Sequence, residues 1–229
     1  MRKFLIVISM LWCVAGYAFA DGNKKVSILG DSYSTFEGCI EPASNLSWYM
    51  ENESNPERTD LTSPEQTWWG LFLKQTGYEL ERNNSYSGST VCHRGYRGED
   101  YSSRSFITRM SDLGNPDLIL VFGATNDFWA KVSLTPETAK KPEPHPLYTF
   151  KPAMEYMLQQ LGAIYPNAKT VFILNDEITG DARDIVLKAC EAYSVPCIQL
   201  ESIEKQMGHP NRKGMEQIAT QVVKAIETK

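Results

Sequence analysis

The sequence of 229 residues is poor in histidine and cysteine and carries little excess charge of either sign. Its three histidines and five cysteines show no zinc-site spacing. The net charge is −5 and no large basic patch is present, which argues against DNA or RNA as a partner. Repeats, low-complexity tracts and dividing linkers are also missing. We therefore predict a single domain over residues 21–229.

Long apolar runs that would cross a membrane are lacking as well, and the one extended apolar stretch lies at the start, over residues 4–14. A positively charged beginning precedes it, and the small residues Ala18 and Ala20 occupy the positions that a signal peptidase reads. We predict a signal peptide over residues 1–20 that is cut after Ala20. The mature protein is then secreted or periplasmic, without stable membrane insertion. An uncleaved anchor is the alternative.

Cleavage leaves an even number of cysteines, which permits two disulfide bonds in an exported protein. The four residues are Cys39, Cys92, Cys190 and Cys197. We favour a bond between Cys190 and Cys197, because they are close in sequence across a helix-to-strand turn. Cys39 and Cys92 would then join two loops. Four free buried thiols are the alternative.

Apolar runs that are continuous rather than alternating are interleaved with helical patterns. The predicted strands cover residues 26–30, 78–83, 117–122, 170–174 and 196–200, and the predicted helices cover 67–76, 106–113, 154–165, 182–193 and 211–227. This pattern indicates an α/β protein, a three-layer α/β/α sandwich around a five-stranded parallel sheet. We predict the flavodoxin-like strand order 2-1-3-4-5. The long loops 32–65, 85–105 and 125–148 then crowd one rim, where open parallel sheets bind ligands.

Four candidate catalytic or oxyanion-binding residues follow predicted strands, so the topology brings them to this same rim. Ser32 ends the first strand in Gly-Asp-Ser, and its hydroxyl is a candidate nucleophile. Gly88 follows the second strand and offers a bare backbone N–H. Asn126, after the third strand, carries an amide suited to an oxyanion. His209, just before the last helix, is a candidate base. Taken singly, each also fits an ordinary turn or structural role.

Together, in the order Ser, Gly, Asn, His, these segments resemble the SGNH hydrolases, also called the GDSL esterase family. The resemblance runs from about Lys25 to the end, and its most specific parts are Gly-x-x-Asn-Asp around Asn126 and His-Pro-Asn at His209. It implies that Ser32 attacks an ester while His209 takes its proton. It also implies an oxyanion hole made by the backbone N–H groups of Ser32 and Gly88 and by the side chain of Asn126. No metal or organic cofactor is expected.

One position departs from the family pattern, which usually places Asp three residues before the histidine. Here that residue is Gln206, which carries no negative charge. A Ser-His dyad is the first interpretation, with Gln206 or a backbone carbonyl orienting the ring. Alternatively, another carboxylate such as Glu204 or Glu201 reaches the histidine, or the activity is weak.

The long loops carry aromatic and arginine side chains, of which Trp48, Trp129 and Arg94 are candidate substrate-binding residues. Aromatic rings suit sugar faces, and arginines suit the carboxylates of an acidic glycan; packing of the aromatics onto the body is the alternative. The predicted function is a serine esterase for short O-acyl groups, chiefly O-acetyl, on a small-molecule or glycan ester. A lipase or lysophospholipase of the same fold is the enzymatic alternative. The non-enzymatic alternative is a glycan-binding protein with a degenerate, non-catalytic site.

Overall fold

A five-stranded parallel sheet lies at the centre of the molecule. The computed structural model describes residues 23–227. The strands are β1 (Lys25–Gly30), β2 (Glu79–Ser85), β3 (Leu118–Gly123), β4 (Lys169–Leu174) and β5 (Cys197–Gln199). Their order is β2-β1-β3-β4-β5, and every neighbouring pair is parallel. The predicted fold class and strand order are confirmed.

Helices cover both faces of the sheet. They are α1 (Trp68–Thr76), α2 (Phe106–Arg109), α3 (Thr125–Trp129), α4 (Phe150–Ile164), α5 (Gly180–Ala192) and α6 (Arg212–Glu227). In β3, Leu120 and Phe122 pack in the cluster that includes α1 and α6. Ile119 and Val121 pack in the opposite cluster, with α2, α4 and α5. Because every β3 residue is buried on one face or the other, the strand is apolar throughout instead of alternating.

The three long loops meet at the carboxyl edge of the sheet, as predicted. The first and second loops are joined by the Ser87 N–H, which donates to the Leu46 carbonyl at 2.9 Å. The second and third are joined by the His93 N–H, which donates to the Leu147 carbonyl at 2.9 Å. After β5 the chain forms a small antiparallel hairpin, β6 (Lys205–Gln206) and β7 (His209–Pro210), before α6 begins.

The cysteine predictions are corrected by the structure, in which all four thiols are free. Cys92 is buried in the core cluster on one face of the sheet, whereas Cys39 packs against the cluster on the other face. The two cysteine side chains therefore pack on opposite faces of the sheet, although the loops that carry them are in contact. Cys190 and Cys197 do lie side by side, and the Cys190 thiol hydrogen-bonds Cys197, which lowers the pKa of the Cys197 thiol. These two cysteines are therefore also not joined by a disulfide bond.

Other predictions concern the ends of the chain and bound groups. The predicted signal peptide, residues 1–20, lies outside the described residues. Between residues 23 and 227, no helix has the length and apolar character needed to cross a membrane. Within the same range, no group of three or more His, Cys, Asp or Glu side chains is arranged to hold a metal ion.

Candidate active site

Ser32 lies on a tight 3-10 turn (residues 32–34) directly after β1. The chain can turn there because Gly30 has no side chain: a Cβ at this position would lie 2.5 Å from the Ser34 Cβ. The Asp31 carboxylate caps the turn by accepting a hydrogen bond from the Tyr33 N–H at 3.0 Å. Ser32 is only 3% exposed. Its hydroxyl is thus held on a rigid turn at the sheet edge.

The imidazole of His209 contacts this hydroxyl. The two atoms, His209 Nε2 and Ser32 Oγ, are 3.0 Å apart. On the other side of the ring, Nδ1 lies 3.1 Å from the backbone carbonyl oxygen of Met207. A carbonyl can only accept, so Nδ1 carries the ring proton and the lone pair of Nε2 faces Ser32. This is the arrangement that a general base needs to take a proton from the serine.

His209 owes its position to the β6–β7 hairpin. The two turn residues, Met207 and Gly208, both have left-handed backbone conformations, with φ of 48° and 76°. Two-residue turns of this kind match the twist of the paired strands. The Tyr33 hydroxyl donates to the Gly208 carbonyl at 2.7 Å, and the Tyr49 hydroxyl donates to the Pro210 carbonyl at 2.8 Å. These two bonds fix the chain on either side of the histidine.

Aromatic packing completes the surroundings of the imidazole. Trp48 stacks on it with ring centres 3.6 Å apart and an angle of 7° between the planes. The Arg58 guanidinium also lies over the Trp48 ring, 4.4 Å from its centre. Burial lowers the pKa of His209 to about 4; the Met207 carbonyl opposes this shift and the Arg58 charge adds to it. The histidine is therefore neutral, and able to accept a proton, across the neutral pH range.

The predicted substrate-binding residues have different surroundings. Trp48 is stacked on His209 and lies under the Arg58 guanidinium, so its ring is engaged by these two side chains. Trp129 meets His209 edge to face at 5.8 Å, is half-buried, and donates from Nε1 to Glu177 at 3.0 Å. Arg94 is paired with Glu143 on the wall of a neighbouring cavity. Trp48 and Trp129 both contact His209 and keep part of their surface exposed, and Trp129 is the one that does not stack face to face on the ring.

The oxyanion-hole candidates form a second connected group. Asn126, in α3, donates from Nδ2 to the Ser89 carbonyl at 3.0 Å, which places it beside Gly88. The Tyr96 hydroxyl donates to Asn126 Oδ1 at 2.7 Å. Because an amide nitrogen has two hydrogens, one remains for a ligand, and the Tyr96 bond keeps the nitrogen end of the amide from turning away. Gly88 has a φ of 80°, a conformation that favours glycine.

Buried charges fix this group to the sheet. The Asp127 carboxylate accepts from the N–H groups of Val91 and Cys92 at 2.7 and 3.2 Å, so it joins the loop after β2 to α3. Burial raises the pKa of Asp127 to about 6. Arg109 is also buried and donates to the Ser89 hydroxyl at 2.9 Å. The loop carrying Gly88 is thus held from two directions.

The side chains predicted to orient the histidine do not touch it. Gln206 points away and donates to the carbonyls of residues 56–57, both at 2.7 Å. Glu204 accepts a hydrogen bond from Asn211 at 2.7 Å. Gln206 and His209 are paired in the β6–β7 hairpin, but the Gln206 amide is directed to the carbonyls of residues 56–57 and not to the imidazole. The Met207 carbonyl is the group at Nδ1, in agreement with the backbone-carbonyl alternative.

Some supporting residues were not singled out from the sequence. They include Tyr33, Tyr49, Tyr96 and Arg58, because a hydroxyl or guanidinium partner across the rim leaves no local pattern in the sequence. Met207 acts through its carbonyl, which any residue supplies. The one usable signal was the glycine at 208 two residues after Gln206, since a two-residue connection ending in glycine is typical of a hairpin.

Comparison with known proteins agrees with this architecture. The model of the GDSL-like lipase/acylhydrolase family matches residues 24–226. A crystal structure of a protein from Bacteroides ovatus, described as a GDSL-like lipase, is 46% identical, with a TM-score of 0.84 over 90% of this chain and 99% of its own. A similarly described protein from Bacteroides uniformis is 47% identical, with a TM-score of 0.84 over 91% and 98%.

A more distant solved structure shares the fold. It is a family two carbohydrate esterase from Clostridium thermocellum in complex with cellohexaose, 14% identical, with a TM-score of 0.56 over 90% of this chain and 64% of its own. No curated protein matches the chain. The family match covers nearly all the described residues, and the fold agrees with it. The chain therefore belongs to the GDSL-like lipase/acylhydrolase family and is a carboxylic ester hydrolase.

Proposed function

We propose that this protein is a serine esterase that removes short O-acyl groups, chiefly acetyl, from carbohydrates. Ser32 is the nucleophile and His209 is the base. The observation that carries the proposal is the 3.0 Å contact between Ser32 Oγ and His209 Nε2, on a ring whose other nitrogen is bonded to the Met207 carbonyl. A protein that only bound glycans would have no need of this proton-transfer geometry.

The reaction proceeds in two halves. Ser32 Oγ attacks the ester carbonyl carbon while its proton passes to His209 Nε2. The oxyanion accepts hydrogen bonds from the backbone N–H groups of Ser32 and Gly88 and from the Asn126 amide. Collapse of the intermediate expels the sugar oxygen, which takes the proton from His209, and leaves an acyl-serine. Water then attacks the acyl group, giving its proton to His209, and the second collapse returns that proton to Ser32 and releases acetic acid.

No carboxylate contacts the imidazole among residues 23–227, so the imidazolium formed in each half is stabilised by the Met207 carbonyl and the face of Trp48. A carbonyl stabilises a cation less than a carboxylate does, but it fixes the same tautomer. The low pKa of His209, about 4, makes it a weaker base that is nonetheless fully available at neutral pH.

The carbohydrate part of the proposal rests on the side chains that the rim loops bring to the site. The loops around Ser32 bring charged and polar groups to the site, and Trp129 places a half-buried ring beside His209. An acyl chain would need an apolar trench, and a half-buried indole hydrogen-bonded to Glu177 suits a sugar better. The fold is also that of solved carbohydrate esterases, one of them in complex with cellohexaose.

We also propose that the enzyme acts outside the cytoplasm, secreted or periplasmic. Support comes from the charged start, the apolar run and the small residues at 18 and 20. Expression of the full chain in a bacterial host, followed by amino-terminal sequencing of the exported protein, tests this. The expected mature sequence begins at Asp21. A protein that keeps residue 1 and stays with the cells would contradict it.

The activity is tested with 4-nitrophenyl acetate, butyrate and octanoate, and by acetate release from acetylated oligosaccharides. We expect hydrolysis that falls with acyl length and disappears in Ser32→Ala and His209→Ala. Ser44→Ala and His145→Ala are the matched controls, because both residues are exposed and lie outside the site. Preference for octanoate over acetate would favour the lipase alternative. Activity that survives Ser32→Ala would refute the proposed nucleophile.

A further inference from the structure

A large cavity lies beside the oxyanion group and is not used by the reaction described above. Its volume is about 790 Å³, within the roughly 300–1,000 Å³ of small-molecule sites. It is lined by parts of residues 94–98, 130–134 and 138–143, which come from the second and third rim loops. It is therefore built from the two loops whose lengths a minimal α/β domain does not require.

The cavity is strongly cationic. Arg97, Lys131, Lys140 and Lys141 line it, all four are exposed, and none has a carboxylate partner among residues 23–227. The fifth cation, Arg94, is already neutralised by Glu143 and lies 4.9 Å from the ring centre of Tyr148. Since the whole chain has a net charge of −5, four unpaired positive charges around one cavity are not a consequence of composition.

The cavity adjoins the site through residues that contact Asn126. Tyr96, whose hydroxyl donates to Asn126 Oδ1 at 2.7 Å, stands between the lining residues Gly95 and Arg97. Asn126 and the lining residue Ala130 also belong to one helical turn, in which the Ala130 N–H donates to the Asn126 backbone carbonyl at 2.9 Å. A sugar chain whose acyl group reached the oxyanion donors would therefore continue into the cavity.

We propose that this cavity binds an anionic sugar residue of the substrate, a uronate or a sulfated sugar, next to the acylated one. The proposal rests on the proposed function, because it assigns the substrate class of that same site. The oxygens of a carboxylate or sulfate would accept hydrogen bonds from the free ammonium and guanidinium groups. Neutral glycans and acyl chains gain nothing from these charges. The cations therefore select an acidic glycan.

The test measures binding by calorimetry in the Ser32→Ala protein, so it does not depend on catalysis. The probes are trigalacturonate, a sulfated galactan trisaccharide, neutral cellotriose and inorganic sulfate. Each is titrated into Ser32→Ala and into the same protein carrying Lys131→Gln, Lys140→Gln and Lys141→Gln. The matched control carries Lys24→Gln, Lys74→Gln and Lys188→Gln, three exposed lysines outside the cavity. Melting temperatures show that both triple variants are folded.

We expect an acidic trisaccharide to bind at least tenfold more tightly than cellotriose. The cavity variant should lose about tenfold in affinity, as expected for three exposed charge contacts, and the control should lose less than twofold. Raising the salt concentration should weaken binding of the acidic probe. The comparison of trigalacturonate with the sulfated trisaccharide shows which anion is preferred. Tight binding of inorganic sulfate alone would show a simple anion site and overturn the glycan proposal.

Equal affinity for acidic and neutral trisaccharides, no binding of any trisaccharide, or an unchanged affinity in a folded cavity variant would also overturn it. These outcomes are distinct from failure of the esterase proposal. If the protein binds acidic glycans but hydrolyses no ester, the cavity assignment stands and the catalytic one fails. If it hydrolyses acetylated neutral glycans and ignores acidic ones, the reverse holds.

Discussion

The two halves of the site are held in different ways. The half with Ser32, Gly88 and Asn126 is fixed to the carboxyl edge of a buried parallel sheet by buried charges such as Asp127. The half with His209 lies on a two-residue hairpin and is held by tyrosine hydroxyls and by the stacked ring of Trp48. The half with the proposed nucleophile Ser32 (the nucleophile half) thus depends on the core, whereas the half with the proposed base His209 (the base half) depends on contacts of the first loop. A base can be oriented without a carboxylate when the backbone supplies the acceptor.

Removal of the reacting groups should have the largest effect on either half. Ser32→Ala and His209→Ala are each expected to lower kcat by about ten-thousand-fold or more, because neither proton transfer nor acyl transfer remains. The double variant should be no worse than the single ones, because the two residues act as a unit. Steady-state hydrolysis of 4-nitrophenyl acetate measures all three. Additive losses would mean that the two residues act independently.

Substitutions in the oxyanion group should have the next largest effect on kcat. Asn126→Ala is expected to lower kcat by about a hundredfold with little change in KM, because the amide contacts the substrate chiefly in the transition state. Tyr96→Phe removes only the bond that orients the amide and should cost about threefold. A kcat for Asn126→Ala within threefold of wild type would exclude the residue from the oxyanion hole.

Trp48 tests the aromatic support of the base half. Trp48→Ala should reduce kcat by about tenfold, since stacking of this kind contributes about 0.5–1.5 kcal/mol. Trp48→Phe keeps an aromatic face and should recover most of the loss. If Trp48 instead bound sugar, both variants would raise KM for glycan esters while leaving hydrolysis of 4-nitrophenyl acetate unchanged.

Gln206→Asp should have the smallest effect and separates the two accounts of histidine orientation. The change puts the family's usual residue at that position, yet its side chain faces the carbonyls of residues 56–57. Asp cannot donate to those carbonyls, so we expect no gain in kcat and a slightly lower melting temperature. Gln206→Ala is the control for loss of the same bonds. A severalfold rise in kcat with Asp alone would show that a carboxylate can reach the ring.

Much of this arrangement is predictable from sequence because buried parallel strands are recognisable as continuous apolar runs. The continuous apolar runs at 117–122 and 170–174 predict buried strands, and the rim position of Ser32 and Asn126 follows from the strand order. The start of α4 was predicted four residues late, at Met154, although Pro152 fits the first turn of the helix that begins at Phe150.

The base half was less predictable. The orienting group at Nδ1 is a backbone carbonyl, and its position depends on the φ angles of a two-residue turn rather than on any side chain. The stacking of Trp48 on His209 joins residues 161 positions apart, and no local pattern indicates such a contact. The predicted pairing of Cys39 with Cys92 was wrong for a similar reason, because sequence does not show which side of a sheet a loop packs on.

The most direct test of the account is the pH dependence of kcat/KM for 4-nitrophenyl acetate between pH 3 and 8. Burial and the nearby Arg58 charge lower the pKa of His209 to about 4, and the reaction needs the neutral ring, so activity should rise with pH through that value and be nearly constant above about pH 5. Arg58→Gln should move the midpoint upward, because it removes a positive charge near the imidazolium. A wild-type midpoint at or above pH 6.5 would contradict a buried dyad without a carboxylate.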